Sequence, residues 1–387
     1  MLSNMEETVR YNYRLRPGSR ARQALIADWH RTRFLWNDAV AKMRNGEDVS
    51  FKTLSASLTA KRAELDWLKA GAQVTQQQEL RTFAQALTHS FKVKGRRRPR
   101  FKSVNKARLS LAYTTNGFSL EDGRLRLAKT PPIPVVWSRE LPSKPSSARV
   151  YQDSLGQWYV SFVVQRATQP APPATGAIGI DWGVSETATT TDADYDLAHI
   201  GHRQREARTL ANAQRKMARR RRPRGQAQSN GYKQARLETA RIAKAAQRRN
   251  VHTARMWSRR IVDDHQLIAI EDFKPKFLSK STMARKTADA AVGTIKSTLI
   301  EYAERAGRKV VLVKPAYTTM TCNQCFARTK RLGLDVRKFN CLSCGLSEDR
   351  DRNAAKTILA VAGQGHTSVD GVRRSGPPLG VAALAAT

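Results

Sequence analysis

Acidic residues are scarce in this chain of 387 residues, where 32 Asp and Glu stand against 69 Lys and Arg and leave a formal charge of +37. Such a chain repels itself unless an anionic partner neutralises it. Long apolar runs are missing too. None approaches the roughly 20 residues that span a bilayer, and the opening Met1-Leu2-Ser3-Asn4-Met5-Glu6-Glu7 lacks the basic-then-apolar order of an export signal. The expectation is a cytoplasmic protein with no membrane partner. Cysteine is confined to four residues, all between Cys322 and Cys344, and no internal repeat occurs. That clustering excludes a disulfide framework, which would spread its staples along a secreted chain.

What is present is a soluble composition, 40% hydrophobic, in a chain long enough for two or three domains. Nucleic acid is the polyanion that suits the charge, because each phosphate met by Arg or Lys releases a condensed counterion. A membrane surface is the competing anion. An RNA-scaffolding protein would explain the charge as well.

The run Thr8-Val9-Arg10-Tyr11-Asn12-Tyr13-Arg14-Leu15 alternates polar and apolar side chains and stops at Pro17-Gly18, which predicts a strand and a turn. A helix follows from about Ala21 to Met43, with Leu25, Trp29, Trp36, Val40 and Met43 on one face. Two further helical stretches run to Val93. Short strands separated by Asn116-Gly117, Asp122-Gly123 and Leu155-Gly156 then return. Residues 1–18 and 94–168 are expected to form one antiparallel β-barrel with a helical insertion at 19–93. The proline-rich stretch 169–176 is read as a linker.

Beyond it, strands alternate with helices, the mark of a mixed α/β sheet. Ala177-Ile178-Gly179-Ile180 and Leu267-Ile268-Ala269-Ile270 are short apolar runs, each ending at an acid. Between them, 202–260 is a very basic helical stretch broken at Arg219-Arg220-Arg221-Arg222-Pro223. A helix is expected from about Met283 to Ala306 and a strand at 309–313. Residues 363–387 lack periodicity and read as a disordered tail.

Two C-x2-C pairs, Cys322/Cys325 and Cys341/Cys344, are separated by the spacing of a four-cysteine zinc ribbon. Four thiolates close a tetrahedral site, so a Zn²⁺ held there is structural. A redox role would need one such pair at a helix start. Asp181 and Glu271 follow the two apolar strands, and neighbouring strands would project both carboxylates into one site. Asp351, in Asp349-Arg350-Asp351-Arg352-Asn353-Ala354-Ala355, begins a helix that would bring a third. Three carboxylates around two Mg²⁺ ions suit phosphodiester hydrolysis. Each acid has an ordinary reading beside this one: an Asp after a strand forms turns, and Asp351 would serve as an N-cap.

In combination these stretches resemble a family. Ile178 to Gly183, Ile268 to Phe273, Tyr317 to Cys325 and Asp351 to Ala355 occur in the order found in TnpB proteins, transposon-associated relatives of the type V CRISPR effectors. Arg33-Phe34-Leu35-Trp36-Asn37, Pro99-Arg100-Phe101-Lys102 and Gly156 to Phe162 extend the likeness toward the N-terminus. The resemblance implies a multidomain α+β protein. Its parts are a wedge β-barrel with an inserted helical recognition unit, then an RNase H-like (RuvC) α/β domain at 177–314 and 346–362 with the zinc ribbon at 315–345 inserted. It implies an RNA-guided DNA endonuclease that binds a guide RNA and cuts double-stranded DNA beside a short motif, with Asp181, Glu271 and Asp351 as catalytic Mg²⁺ ligands. Two positions depart from the family pattern: Trp182 stands where an aliphatic residue is usual, and Phe326 replaces the glycine that commonly follows the second cysteine.

Nucleic-acid contacts are expected at Arg205, Arg215, Lys216, Arg219, Arg220, Arg248 and Arg249, along the phosphates of an RNA–DNA hybrid. Tyr11, Tyr13, Trp29, Arg33 and Trp36 are expected to contact a short duplex motif, and Arg100 and Lys102 to bind nucleic acid. A monomer is the expected state, at the nucleoid when bound to DNA. A guided but catalytically silent repressor would be free to lose any of the three acids. A DNA-strand transferase of the mobile element would share an RNase H-like core, since fold does not fix function.

Overall fold

The computed structural model describes residues 6–104, 106–168, 171–223, 225–273, 290–330, 332–333 and 336–374. The chain divides into two compact units, Met1–Gln169 and Pro170–Thr387.

In the first unit, β1 (Glu6–Leu15) leads to α1 (Ser19–Arg44), α2 (Phe51–Glu64), α3 (Asp66–Lys69) and α4 (Gln73–Lys92). Then come β2 (Ser110–Thr114), β3 (Phe118–Glu121), β4 (Arg124–Leu127), β5 (Thr130–Val136), β6 (Ser147–Gln152) and β7 (Trp158–Ala167). The strands form one antiparallel sheet in the order β2-β6-β7-β1-β5-β4-β3. Its end strands β2 and β3 are joined by the short turn Thr115–Gly117, so the sheet is nearly closed. The alternation read in β1 puts Val9, Tyr13 and Leu15 inside with Tyr113, Ile133, Val150 and Phe162, while Arg10 and Arg14 stay exposed. Leu25 of α1 enters the same core.

The helices hold a second core, with Leu35, Trp36, Val40, Leu54, Leu58, Leu80 and Phe83. Ser50 caps α2, its hydroxyl accepting from the Thr53 amide.

The second unit is built on β8 (Gly176–Trp182), β9 (Glu186–Thr190), β10 (Leu197–Ala198), β11 (His265–Glu271) and β12 (Lys309–Val313), in the order β10-β9-β8-β11-β12. β11 runs parallel to both β8 and β12, and β9 is antiparallel to β8. The basic stretch becomes α5 (His202–Arg205), α6 (Ala207–Arg219) and α7 (Asn230–Asp264), with α8 (Val292–Arg305) before β12. Residues 283–289 of the expected helix lie outside the described residues. Trp257, Ile261, Ile295 and Leu299 cover the apolar side chains of β8 and β11. The hairpin β13 (Lys338–Asn340) and β14 (Ser347–Asp349) feeds directly into α9 (Arg350–Gly363).

Gly179 decides how closely α9 lies on the sheet. A Cβ there would stand 2.1 Å from the Ala355 carbonyl oxygen and 2.8 Å from Leu359 Cβ. Ala354 and Ala355 are fully buried at this contact. The composition after Gly363 suggested disorder, but α10 (Val369–Arg374) is ordered, because Val369 and Val372 are buried against Ile358 and Val361. Residues 375–387 lie outside the described residues.

Candidate active site

Parallel pairing of β8 with β11 sets Ile180 opposite Ile270, so Asp181 and Glu271 occupy the next rung and the same face. Adjacent strands lie about 4.8 Å apart. Both acids are 6% exposed. With Asp351 they line one cleft of about 820 Å³, together with Trp182, Glu186, Asp272, Lys314, Arg337 and Arg350. Burial raises the Asp181 carboxyl well above its ordinary range, and the Glu271 and Asp351 charges push in the same direction against Arg350. Burial likewise pushes Glu271 up to about 7, opposed by Lys296 and by the Thr318 hydroxyl 3.5 Å from its Oε1. Crowding and burial are relieved at such carboxylates by a bound proton or by a cation.

Asp349 and Asp351 differ in occupation. Asp349 is the N-cap of α9, its Oδ1 accepting from the amides of Asp351 and Arg352 at 2.9 Å each. The Asp351 carboxylate stands in the cleft, where Arg350 donates to Oδ1 through Nε and Nη2 at 3.0 Å and Arg337 approaches Oδ2 at 3.5 Å. The N-cap alternative therefore describes Asp349, not Asp351.

The four cysteine sulfurs lie within 4.8 Å of one another, with Cys322 to Cys344 at 3.6 Å and Cys325 to Cys341 at 3.5 Å. A tetrahedron with Zn–S bonds of about 2.3 Å has edges close to these. Fully buried Asn353 fastens this cluster to α9. Its Nδ2 donates to the Thr321 carbonyl at 2.8 Å, and its Oδ1 accepts from the Asn323 amide and Nδ2 at 3.0 Å.

Residues 160–282 match the family profile OrfB_IS605, described as "Probable transposase", and 293–358 match the Cas12f1-like TNB domain. A protein of Streptomyces pristinaespiralis named as an RNA-guided DNA endonuclease is 32% identical over 375 residues, covering 94% of this chain and 91% of the relative. The chain belongs to the TnpB family. InsQ of Escherichia coli (strain K12), also named as an RNA-guided DNA endonuclease, is 27% identical across 97% of each chain. A solved chain described as "Cryo-EM structure of the Cas12f1-sgRNA-target DNA complex" is similar over 92% of this chain and 98% of its own, at 11% identity and a TM-score of 0.49.

The two departures from the TnpB pattern have physical accounts. Trp182 is buried and its Nε1 donates to the Glu271 carbonyl at 3.2 Å, tying the two acid-bearing strand ends together. Phe326 adopts φ 56°, the left-handed conformation that Gly345 adopts at 75° after the second cysteine pair. Its ring is buried against the core that holds Val313 and Val361, which offsets the backbone strain.

The residues expected to contact nucleic acid fare unequally. Trp36 is a correction: it is 7% exposed, stacked edge-on against Phe83, and its Nε1 donates to the Arg100 carbonyl at 2.8 Å. An indole so enclosed reads no base. Lys102 pairs with Glu79 and lies 3.6 Å from the Trp36 ring, and Arg33 donates to the Lys102 carbonyl at 3.3 Å. Tyr11 is half-buried beneath Arg139, and Arg100 is exposed. Arg205 donates to the Ile200 carbonyl, Arg215 to Asn212 and Arg220 to the Gly231 carbonyl, while Lys216 pairs with Glu238 and Arg249 with Glu206. Arg219 and Arg248 also lie in the α6–α7 hairpin, at its exposed surface.

Sequence reasoning missed Lys296, whose Nζ donates to the Glu271 carbonyl at 3.2 Å and to Asp272 at 2.8 Å. It missed the Arg350 and Arg337 contacts to Asp351 as well. No spacing rule links those side chains to the acids.

Proposed function

We propose that this TnpB protein is an RNA-guided DNA endonuclease whose Asp181, Glu271 and Asp351 hold two Mg²⁺ ions in an RNase H-like nuclease domain. The observation that carries the reading is that three acids from two strand ends and a helix start line one cleft. Mg²⁺ bound by these acids would supply polarisation of the scissile phosphate and a more acidic attacking water. Asp181 and Glu271 supply buried negative charge at a fixed separation, and Asp351 closes the third side. Lys296 and Trp182 hold the backbone that aims Glu271. Arg337 and Arg350 balance Asp351 and lie where an incoming phosphate would meet positive charge.

The full-length relatives named as RNA-guided DNA endonucleases support guide RNA and target DNA as partners. The first unit, with its nearly closed sheet and helices, is read as the wedge and recognition part. The four cysteines are read as a structural Zn²⁺ site, and the protein as a monomer on its guide. Guided cleavage of duplex DNA by the wild type and by Asp181→Asn, Glu271→Gln and Asp351→Asn tests the site. Loss of cutting with retained target binding in all three supports it. Retained cutting by any one of them overturns it.

A further inference from the structure

Arg352 follows Asp351 directly in α9, and its side chain crosses to the end of β9. Its Nη1 and Nη2 donate to the two oxygens of Asp196 at 3.0 and 2.6 Å, and Nη1 also donates to the Thr190 carbonyl. A guanidinium fork on a carboxylate fixes direction as well as distance. The two side chains are only 21% and 22% exposed, so solvent screens the pair in part. Arg352 lines a recess of about 450 Å³ beside the cleft, with Glu186, Arg337, Asp349 and Asp351. Its charge there is matched by Asp196, whereas Arg337 and Arg350 face Asp351.

Asp196 is itself held in place. Its Oδ1 accepts from the Thr190 amide at 2.7 Å and from the Thr190 hydroxyl at 3.2 Å. Behind it, α7 grips the same loop: Trp257 Nε1 donates to the Tyr195 carbonyl at 2.8 Å and Arg260 to the Asp194 carbonyl at 3.0 Å. Thr190 pairs with Ile180 of β8, and Thr189 with Asp181. A continuous polar frame therefore runs from the strand that carries Asp181, through Thr190 and Asp196, to the residue next to Asp351. The Gly179–Ala355 contact sets how closely α9 lies on the sheet, but apolar packing is non-directional and leaves a helix free to turn about its axis. The fork removes that freedom at the end of α9 that bears the acid.

We infer that Arg352 and Asp196 are positioning residues for Asp351: their bidentate pair fixes the separation of Asp351 from Asp181 and thereby sets how tightly the three acids hold Mg²⁺. Neither residue is a ligand or touches the substrate. Partners that orient ligating carboxylates change metal affinity or activity by roughly 10- to 100-fold when removed. The inference rests on the nuclease reading for its metal, but its first test is a binding measurement that does not depend on cutting.

The full chain is melted across a series of Mg²⁺ concentrations, because a ligand that binds only the folded state raises the melting temperature. Arg352→Gln and Asp196→Asn should each raise the Mg²⁺ concentration at half-maximal shift by roughly 10-fold or more. Asn at 196 keeps an oxygen for the Thr190 donors and loses only the fork. The double variant should cost no more than either single one, since the two residues act as a unit. Arg352→Lys, which keeps the charge without the fork, should fall between them and the wild type; it and Asp196→Asn carry the test if Arg352→Gln does not fold. Asp38→Asn, which breaks the comparably exposed Lys61–Asp38 pair, should leave the Mg²⁺ midpoint unchanged. Guided cleavage should need more Mg²⁺ by the same factor, with target affinity unaltered. Unchanged midpoints in Arg352→Gln and Asp196→Asn, or an equal shift in Asp38→Asn, overturn the inference. So does a loss of target affinity in Arg352→Gln that Asp196→Asn does not share, which would make Arg352 a substrate contact. A wild type whose melting ignores Mg²⁺ defeats the metal-site reading and this inference together, whereas a responsive wild type with unshifted variants defeats this inference alone.

Discussion

Gly179 of β8 and Ala355 of α9 are in backbone contact, with no room for a methyl group between them. The helix that begins one residue before Asp351 therefore rests directly on the strand that carries Asp181.

Gly179→Ala is expected to lift α9 from the sheet. Overpacking of this kind costs about 1–3 kcal/mol, and the obstacle here is a carbonyl, which cannot rotate aside. Cutting should fall further than stability, because Asp351 moves away from Asp181. Thermal melts and guided cleavage check this, and wild-type cutting by a destabilised variant would contradict it.

The two aspartates around Arg350 should separate cleanly. Asp349→Ala removes an N-cap, costs about 0.5–2 kcal/mol and leaves measurable cutting. Asp351→Ala removes a carboxylate from the cleft and should abolish cutting while target binding persists. Cleavage of one guided target by both variants, with Mg²⁺, reads the difference. The reverse order of effects would sink the assignment.

Glu271, pushed up to about 7 by burial, and Asp181, raised by burial and by its neighbours, hold protons more tightly folded than unfolded. A raised carboxyl pKa contributes stability that is complete below its unfolded value and is lost as pH rises through the folded one. Without divalent ions the melting temperature should therefore fall as pH climbs from about 4.5 to about 7, by an energy on the order of 3 kcal/mol. Mg²⁺ should restore it. Calorimetry with chelator, with Mg²⁺ and on Glu271→Gln checks the slope; a wild-type melting temperature that rises across this window without metal is the contrary result.

Cys341→Ser should lower bound zinc and, through the bonds joining Asn353 to Thr321 and Asn323, loosen the start of α9. Metal analysis and cleavage should fall together. Full cutting by zinc-free protein in reducing buffer would refute a structural zinc.

Trp36→Ala should act as a core deletion, costing about 3–5 kcal/mol. Nucleic-acid affinity per folded molecule should stay unchanged when titrated below the melting transition. A selective affinity loss at full stability would restore the base-reading role.

The acid-bearing strands and the cysteine pairs were legible because their signals are local: an apolar run that ends at an acid, and a fixed spacing. Which aspartate caps α9 was not, since that depends on the helix starting at Arg350 rather than a residue later. Trp36 was misassigned although it shares a helical face with Leu25 and Val40, because an aromatic beside arginines suits a core as well as a base. Val369 and Val372 make too short a period to announce α10. Lys296 reaches Glu271 from another helix, a proximity that only the folded sheet creates.

The parallel register of β8 and β11 acts as a ruler that is indifferent to what is threaded between its marks. Losing one residue from either strand would turn its acid to the opposite face and silence the pair. Trimming whole turns from the far end of the α6–α7 hairpin should leave both acids in place, because Ala254, Trp257 and Ile261 at the near end supply the packing. A shortened chain built this way should keep the geometry of its carboxylates, so the length of the hairpin and the spacing of the acids can be changed one at a time.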